Sequence, residues 1–354
     1  MSKSTQSWLV PLISVFLGLV AGAIIMLIFG YDPLWAYEEL IFSAFGSAYN
    51  IGEIFRAMAP LMLIALGFAV SSKAGFFNVG LPGQALMGWT LAAWFAIVTP
   101  DLPKVASIPL TVLIGLAAGA LAAAIPGILK AYLGTSEVIT TIMLNYIILY
   151  LSNALLNNHL LPNYADTGAQ SVNVSENASY QLPWLSEMFG YSRINLGFLF
   201  AIIAVVIIWF ILKKTTLGYE ITAVGLNPNA AEYAGMSSKK MIVISMAISG
   251  ALAGLGGAVE GLGTFEYIQR QASSLSIGWN GMAVALLAAN SPIGIPFAAF
   301  LYAVLEIGKS GMQKIVPTEI IDVVSALIIF FVGIDYIIRR FIKPKKATKV
   351  KGGQ

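Results

Sequence analysis

Hydrophobic positions in this chain run in long blocks instead of alternating. The blocks lie at about 8–30, 57–72, 83–99, 107–129, 137–157, 194–212, 241–262, 277–290, 294–312 and 319–338. Roughly 20 apolar residues at 1.5 Å rise cross a hydrocarbon core. Lipid offers no partner to a free backbone amide, so such blocks must be helical. The pattern therefore predicts an all-α membrane protein of about ten transmembrane helices. Two places interrupt it. Asn290-Ser291-Pro292 splits the short blocks near 277–312, which predicts half-helices or a re-entrant pair over about 277–295. Asn78 and Gln84 sit among the helix breakers Gly80, Pro82 and Gly83, which predicts a second broken helix near 75–84.

Composition agrees with the pattern. The 354 residues are 58% hydrophobic and 10% charged, against about 25% charged in a soluble domain. The first block, Trp8–Phe29, is too long for a signal-peptide core and lacks a small-residue cleavage site, so it reads as a span. The blocks follow one another too closely for a separate soluble domain, and the chain reads as one transmembrane domain, 1–354.

The net charge of +3 matters less than its placement. With Lys3 on the cytoplasmic side, ten crossings put Lys73, Lys130, Lys213, Lys214, Lys239, Lys240 and the basic tail 339–354 inside, so both termini are expected to be cytoplasmic. The loops 31–56, 100–106, 158–193, 263–276 and 313–318 then fall outside. Seven basic residues and no acid lie between Arg339 and Lys351, which suits anionic membrane lipid. The tail is short and follows directly on a span, so no nucleic-acid partner is expected. Trp8, Tyr31, Trp35, Trp184, Tyr191 and Tyr336 read as interface anchors. The loop 158–193, rich in Asn, Ser, Tyr and Pro, reads as a folded outer lid or docking surface.

Several chemistries are excluded. No cysteine and a single histidine, His159, leave neither disulfides nor a His-rich metal site. Gly308-Lys309-Ser310 imitates the end of a phosphate-binding loop, but that loop needs glycine at the position held by Ala303. The glycines from Gly250 to Gly261, with Gly115/Gly119 and Gly18/Gly22, have the four-residue spacing that lets membrane helices approach closely. Neither a nucleophile–base pair nor a metal cluster is visible, so catalysis and cofactors are not expected. Uphill movement of a solute would need an ion gradient or another chain.

Polar residues inside the blocks are the candidate pathway. Asn78 and Gln84 can each donate and accept hydrogen bonds, which suits a hydroxyl or a base edge, though both could instead satisfy a turn. Glu137, Thr141 and Asn145 lie one turn apart on one face, extended by Ser152. Such a stripe faces protein or water; Glu137 also reads as a first-turn acid. Asn280, between Gly278 and Gly281, has a setting like that of Asn78. Glu306 and Lys309 are one turn apart and could neutralise each other.

The stretch 213–240 is too long for an ordinary helix connection. Asn227 and Pro228 before Asn229-Ala230-Ala231-Glu232 predict a short capped helix ended by Gly235. This segment, with Gly218, Ala223, Val224, Gly225, Ala230, Ala231 and Ala234 in place, resembles the cytoplasmic coupling segment of permeases of ATP-binding-cassette importers of the ribose and branched-chain amino-acid type. Gly75-Phe-Phe-Asn78-Val-Gly-Leu-Pro82-Gly-Gln84 resembles a second segment of that family, with proline at 82 where an acid is common. Glu137-Val-Ile-Thr-Thr141-Ile-Met-Leu-Asn145 resembles the family's nucleoside-uptake branch. The resemblance implies a non-catalytic permease in a bacterial cytoplasmic membrane. It would be paired with a second, related permease and served outside by a substrate-binding lipoprotein. A separate ATPase would bind ATP and Mg. A sugar or branched-chain amino-acid permease shares this architecture, and an ion-coupled secondary transporter remains the rival of another class.

Overall fold

The computed structural model describes residues 3–164 and 170–333. The tail 339–354 and Tyr336 lie outside the described residues, as do the side chains of Lys3 and Trp8. The order is α1 (Lys3–Ile28), α2 (Pro33–Phe45), α3 (Ala48–Lys73), α4 (Leu81–Val98), α5 (Lys104–Leu133) and α6 (Glu137–Leu155), which runs through a π-helical turn at Leu156–Leu160 into α7 (Leu161–Tyr164). Then come α8 (Pro183–Met188), α9 (Gly197–Lys214), α10 (Thr216–Leu226), α11 (Pro228–Tyr233), α12 (Ser238–Glu260) with a second π turn at Gly261–Phe265, α13 (Ser276–Leu287), α14 (Ile295–Met312) and α15 (Thr318–Gly333). Among the described residues β structure is confined to isolated bridges such as Gln170–Gln269 and Gln181–Asn195. Among the described residues seven helices are long and apolar enough to cross a membrane; the apolar part of α1 (Val15–Ile28) and α13 are shorter.

Each apolar block meets a helix, and both expected breaks are present. The stretch 31–56, expected as an outer loop, is instead largely helical. Asp32 caps α2, its Oδ1 accepting from the Leu34 amide at 2.9 Å, and Pro33 opens the helix. Ser47 caps α3, accepting from the Asn50 amide at 3.1 Å. Helix α3 thus begins well before the apolar block, because Glu53 and Arg56 are paired inside the protein rather than solvated in a loop.

The chain divides into two compact units. The larger, 43–307, holds the main core. Its centre is α12 packed on α5, α4 and α3, and glycine is the reason the helices sit so close. A Cβ on Gly250 would lie 2.2 Å from the Gly119 carbonyl oxygen, one on Gly254 2.2 Å from that of Gly115, and one on Gly257 1.8 Å from that of Ala85. No side chain fits there, so the expected small-residue seam is a backbone-to-backbone contact on two neighbours at once.

The smaller unit, 1–42 with 308–354, pairs α1 with α15. A Cβ on Gly18 would meet the Ile328 Cα at 2.6 Å, and the Tyr37 hydroxyl donates to the Leu19 carbonyl at 2.7 Å. Lys314 pairs with Glu39 at 2.8 Å. Lys309 pairs with Asp322, not with Glu306 as its spacing suggested.

Candidate functional site

The break between α3 and α4 organises one end of the larger unit. Helix α3 stops where the Ala74 amide turns back to Val70 and Ser71, and Gly75 takes φ +83, a conformation natural to glycine. Beyond it Asn78 and Gln84 form a reciprocal amide pair. Asn78 Nδ2 donates to Gln84 Oε1 at 2.9 Å, and Gln84 Nε2 returns a bond to Asn78 Oδ1 at 3.1 Å. Asn78 also donates to Ser249 Oγ on α12 at 2.9 Å and accepts from the Gly80 amide at 3.0 Å. Both residues are buried.

Asn145 grips the same turn from α6. Its Oδ1 accepts from the Gly83 amide at 2.9 Å and its Nδ2 donates to the Val79 carbonyl at 2.9 Å. The first amides of a helix have no partner within it. At the start of α4, Pro82 removes one of them and Asn145 satisfies that of Gly83. That gives Pro82 a local physical role where the family pattern commonly has an acid. Thr141 is buried beside Gly80 and donates back to the Glu137 carbonyl at 2.7 Å. Ser152 meets Thr90 of α4 at 2.6 Å. Glu137 pairs with Lys130 at 2.9 Å. The polar stripe of α6 therefore faces protein. Asn280 is half-buried on α13 and does not join this network; its neighbour Gly278 presses against Pro82.

Asn145→Leu is expected to cost about 2 kcal/mol by stranding the Gly83 amide and the Val79 carbonyl. A lowered melting temperature in detergent would register this. An unchanged half-saturating solute concentration would mark Asn145 as a tether, and a raised one as a wall of the pathway.

The segment 215–238 packs under the same break. Thr215 caps α10 by accepting from the Gly218 amide at 3.3 Å, and Gly218 lies so close to the end of α9 that a Cβ would sit 2.1 Å from the Ile211 carbonyl oxygen. The expected short helix is present as α11. Asn227 caps it through the Ala230 amide at 3.1 Å, Pro228 opens it, and Gly235 at φ +84 follows it. Ser238 Oγ ties the cap back to the Pro228 carbonyl at 2.9 Å.

Ile221, Val224 and Ala231 turn inward onto Ala74, Phe76, Met241 and Met246. Gly225 touches the α3 end itself: a Cβ there would lie 2.1 Å from the Lys73 carbonyl oxygen. Of the residues singled out from sequence, Gly218, Val224 and Ala231 face in, Asn227 and Pro228 shape the cap, and Ala230, Ala234 and Gly235 face out, with Ala223 half-buried. Sequence reasoning passed over Leu226 and Tyr233, which are 84% and 95% exposed and place two large side chains among the exposed Asn227, Asn229 and Glu232 of this knob.

The opposite end carries an ion network that sequence reasoning also left unassembled. Glu53 Oε2 accepts from Arg56 Nε at 2.7 Å and Arg193 Nη2 at 2.8 Å, and its Oε1 accepts from the Arg193 amide at 2.9 Å. Arg56 also faces Glu260 at 3.9 Å. The hydrogen bond to Glu53 holds the Arg193 guanidinium above its ordinary pKa. The segment 170–196 folds over this end. Val174 and Tyr180 donate their amides to the Glu266 and Leu262 carbonyls at 2.7 and 3.1 Å. The Tyr180 side chain is fully buried, and burial pushes its hydroxyl pKa up. A cleft of about 670 Å³ opens on this lobe, lined among others by Lys104, Asn173, Glu176, Gln181 and Glu266. No cluster able to hold a metal occurs among the described residues.

The family model described as "Branched-chain amino acid transport system / permease component" matches residues 50–333. The chain belongs to that family. The permease is thus a multi-pass membrane transport subunit. It is 51% identical, over 99% of both chains, to the nucleoside ABC transporter permease protein NupB of Lactococcus lactis. It is 45% identical, again over 99% of both, to the guanosine ABC transporter permease protein NupP of Bacillus subtilis. To the glucose ABC transporter permease protein TsgB13 of Haloferax volcanii it is 31% identical, over 96% of this permease and 91% of that one.

Proposed function

We propose that this permease forms, with a second and related permease chain, the path by which nucleosides enter a bacterial cell, driven by a separate ATPase. The observation that carries the substrate class is full-length similarity to two permeases named for nucleoside and guanosine transport, well above that to the glucose permease. In this reading the whole chain is one permease domain of ten crossings with both termini cytoplasmic. Lys73, Lys130, Lys213, Lys214, Lys239 and Lys240 support that orientation, because they fall at the α10–α11 end of the larger unit, where Lys239 lies over the Tyr132 ring.

The knob of α10 and α11 is then the surface offered to the ATPase, which binds ATP and Mg. The knob is pinned by its caps, presents Leu226 and Tyr233 at its tip, and is seated through Gly225 on the α3–α4 break. The amide network of Asn78, Gln84 and Asn145 stands directly behind that break and would carry its movement to α6 and α12. At the outer end, the cleft between Lys104, Asn173 and Glu266 would receive the substrate-binding lipoprotein.

The test is uptake into cells or proteoliposomes holding the permease with its partner permease, ATPase and binding lipoprotein. Labelled guanosine is expected to accumulate only with ATP and the ATPase. Unlabelled nucleosides should compete, and ribose, glucose and leucine should not. Accumulation driven by an ion gradient without the ATPase, or competition by glucose but not guanosine, would refute the proposal.

A further inference from the structure

The outward face of α6 is mixed: the exposed apolar side chains of Ile139, Met143, Ile147 and Leu151 flank two tyrosines near mid-span. Helix α6 with its π turn and α7 forms one span, Glu137–Asn163, of 27 residues. Its buried face holds Thr141, Asn145, Ile148, Leu149 and Ser152. The opposite face carries Tyr146 and Tyr150, which are 50% and 69% exposed. Tyr150 is the midpoint of the span, and Tyr146 lies roughly 6 Å from it along the axis at 1.5 Å per residue. Neither hydroxyl has a partner within the chain among the described residues.

Tyrosines that anchor a protein in a bilayer sit at the headgroup level. A phenol aimed into hydrocarbon at mid-depth leaves its hydroxyl unpaired. Outward of Tyr150 the same side of the helix is tied to the segment 270–271, so the unpaired hydroxyls are confined to the two tyrosines. Asn153 exchanges hydrogen bonds with the Gln271 backbone at 2.8 and 3.0 Å, and Asn157 accepts from Arg270 at 2.7 Å. Helix α9 shows the contrast: its exposed side chains Leu199, Ile202, Ile203, Val206, Ile207 and Phe210 are pure hydrocarbon.

We infer that the Tyr146–Tyr150 face of α6 lines the solute path and binds the nucleoside at mid-membrane. An aromatic ring with a hydroxyl at its edge suits such a solute, since the ring stacks on a base and the hydroxyl meets base or sugar polar groups. The inference deepens the functional reading above and rests on it for the identity of the solute, but the wetness of this face is independent of that identity.

This chain has no native cysteine, so label recovered on it reports only the introduced position. Tyr146→Cys and Tyr150→Cys are placed singly in the full assembled transporter and exposed to a charged, membrane-impermeant thiosulfonate, with Val206→Cys as the hydrocarbon control. Both α6 positions are expected to react and the control to stay unmodified. Guanosine delivered by the binding protein should slow the reaction several-fold, and ribose should not. Tyr150→Ala should raise the half-saturating guanosine concentration about ten-fold, the scale of one lost base-stacking partner, with Tyr150→Phe recovering most of it.

Resistance of both cysteines to the aqueous reagent in a transporter that still works would overturn the inference by making this face a dry interface or a lipid contact. So would protection by ribose alone. Failure of the native assembly to take up guanosine, with both cysteines still reactive, would instead overturn the choice of nucleoside and leave the path in place.

Discussion

Gly254→Leu is expected to abolish the folded larger unit. A Cβ at this position would stand 2.2 Å from the Gly115 carbonyl oxygen and 2.8 Å from the Gly119 Cα. Both obstacles are backbone, so no rotamer change relieves them; α5 and α12 would have to separate along their length. Overpacking a core ordinarily costs about 1–3 kcal/mol because side chains can yield. Here they cannot, and the loss should exceed that range. Gly134→Ala is the matched control. Gly134 takes φ +68 with open space around it, so a side chain there meets only the strain of a left-handed backbone, about 1 kcal/mol. Fluorescence-detected size exclusion in detergent would read the difference. Aggregation is expected for the first variant and a monodisperse peak for the second. A well-behaved Gly254→Leu protein would mean that the seam is looser than described.

Tyr233→Asp should produce the opposite pattern, with intact folding and lost work. Tyr233 is 95% exposed and donates nothing to the core, so the melting temperature should not move. If the α11 knob seats in the ATPase, a buried tyrosine at such a contact carries about 2 kcal/mol or more, at least roughly thirty-fold in affinity; a charge in its place adds a desolvation penalty. ATP-driven uptake should fall to background and the ATPase should no longer co-purify with the permease. Leu226→Asp should behave alike. Wild-type uptake in both variants would remove the knob from the coupling route. Neither variant touches the α6 face, so both should leave thiol reactivity at Tyr150→Cys unaltered.

The regular parts of this architecture were legible from residue order alone. Long apolar blocks leave helices as the only option in lipid, and caps such as Asn227-Pro228 announce themselves locally. The Gly250–Gly261 run likewise marked a close helix contact by spacing, though not that it would serve α5 and α4 together. What could not be read was which face of a helix meets which neighbour. Along α6 the residues Thr141 and Asn145 looked like the chemically interesting side, and in the fold they are bonded to their own helix and to the α4 turn. The face with Tyr146 and Tyr150, which no motif or spacing singled out, is the one left open. Glu53 and Arg56 read as loop charges for the same reason: their partners, Arg193 and Glu260, are more than 130 positions away in the chain. Asp32-Pro33 was a helix start in plain view, masked by the charged residues that follow.

The seat of Gly225 on the end of α3 has a mechanical corollary. Joints made of side chains have play, since rotamers can turn and absorb small displacements before anything behind them moves. Here one main chain bears directly on another, at Lys73 and Ala74, with no intervening group to flex. If the ATPase bears on α11 as proposed, a thrust of a few tenths of an ångström there would reach the α3–α4 turn without slack. Bulk added at this joint would act as a wedge and hold the lever permanently thrown.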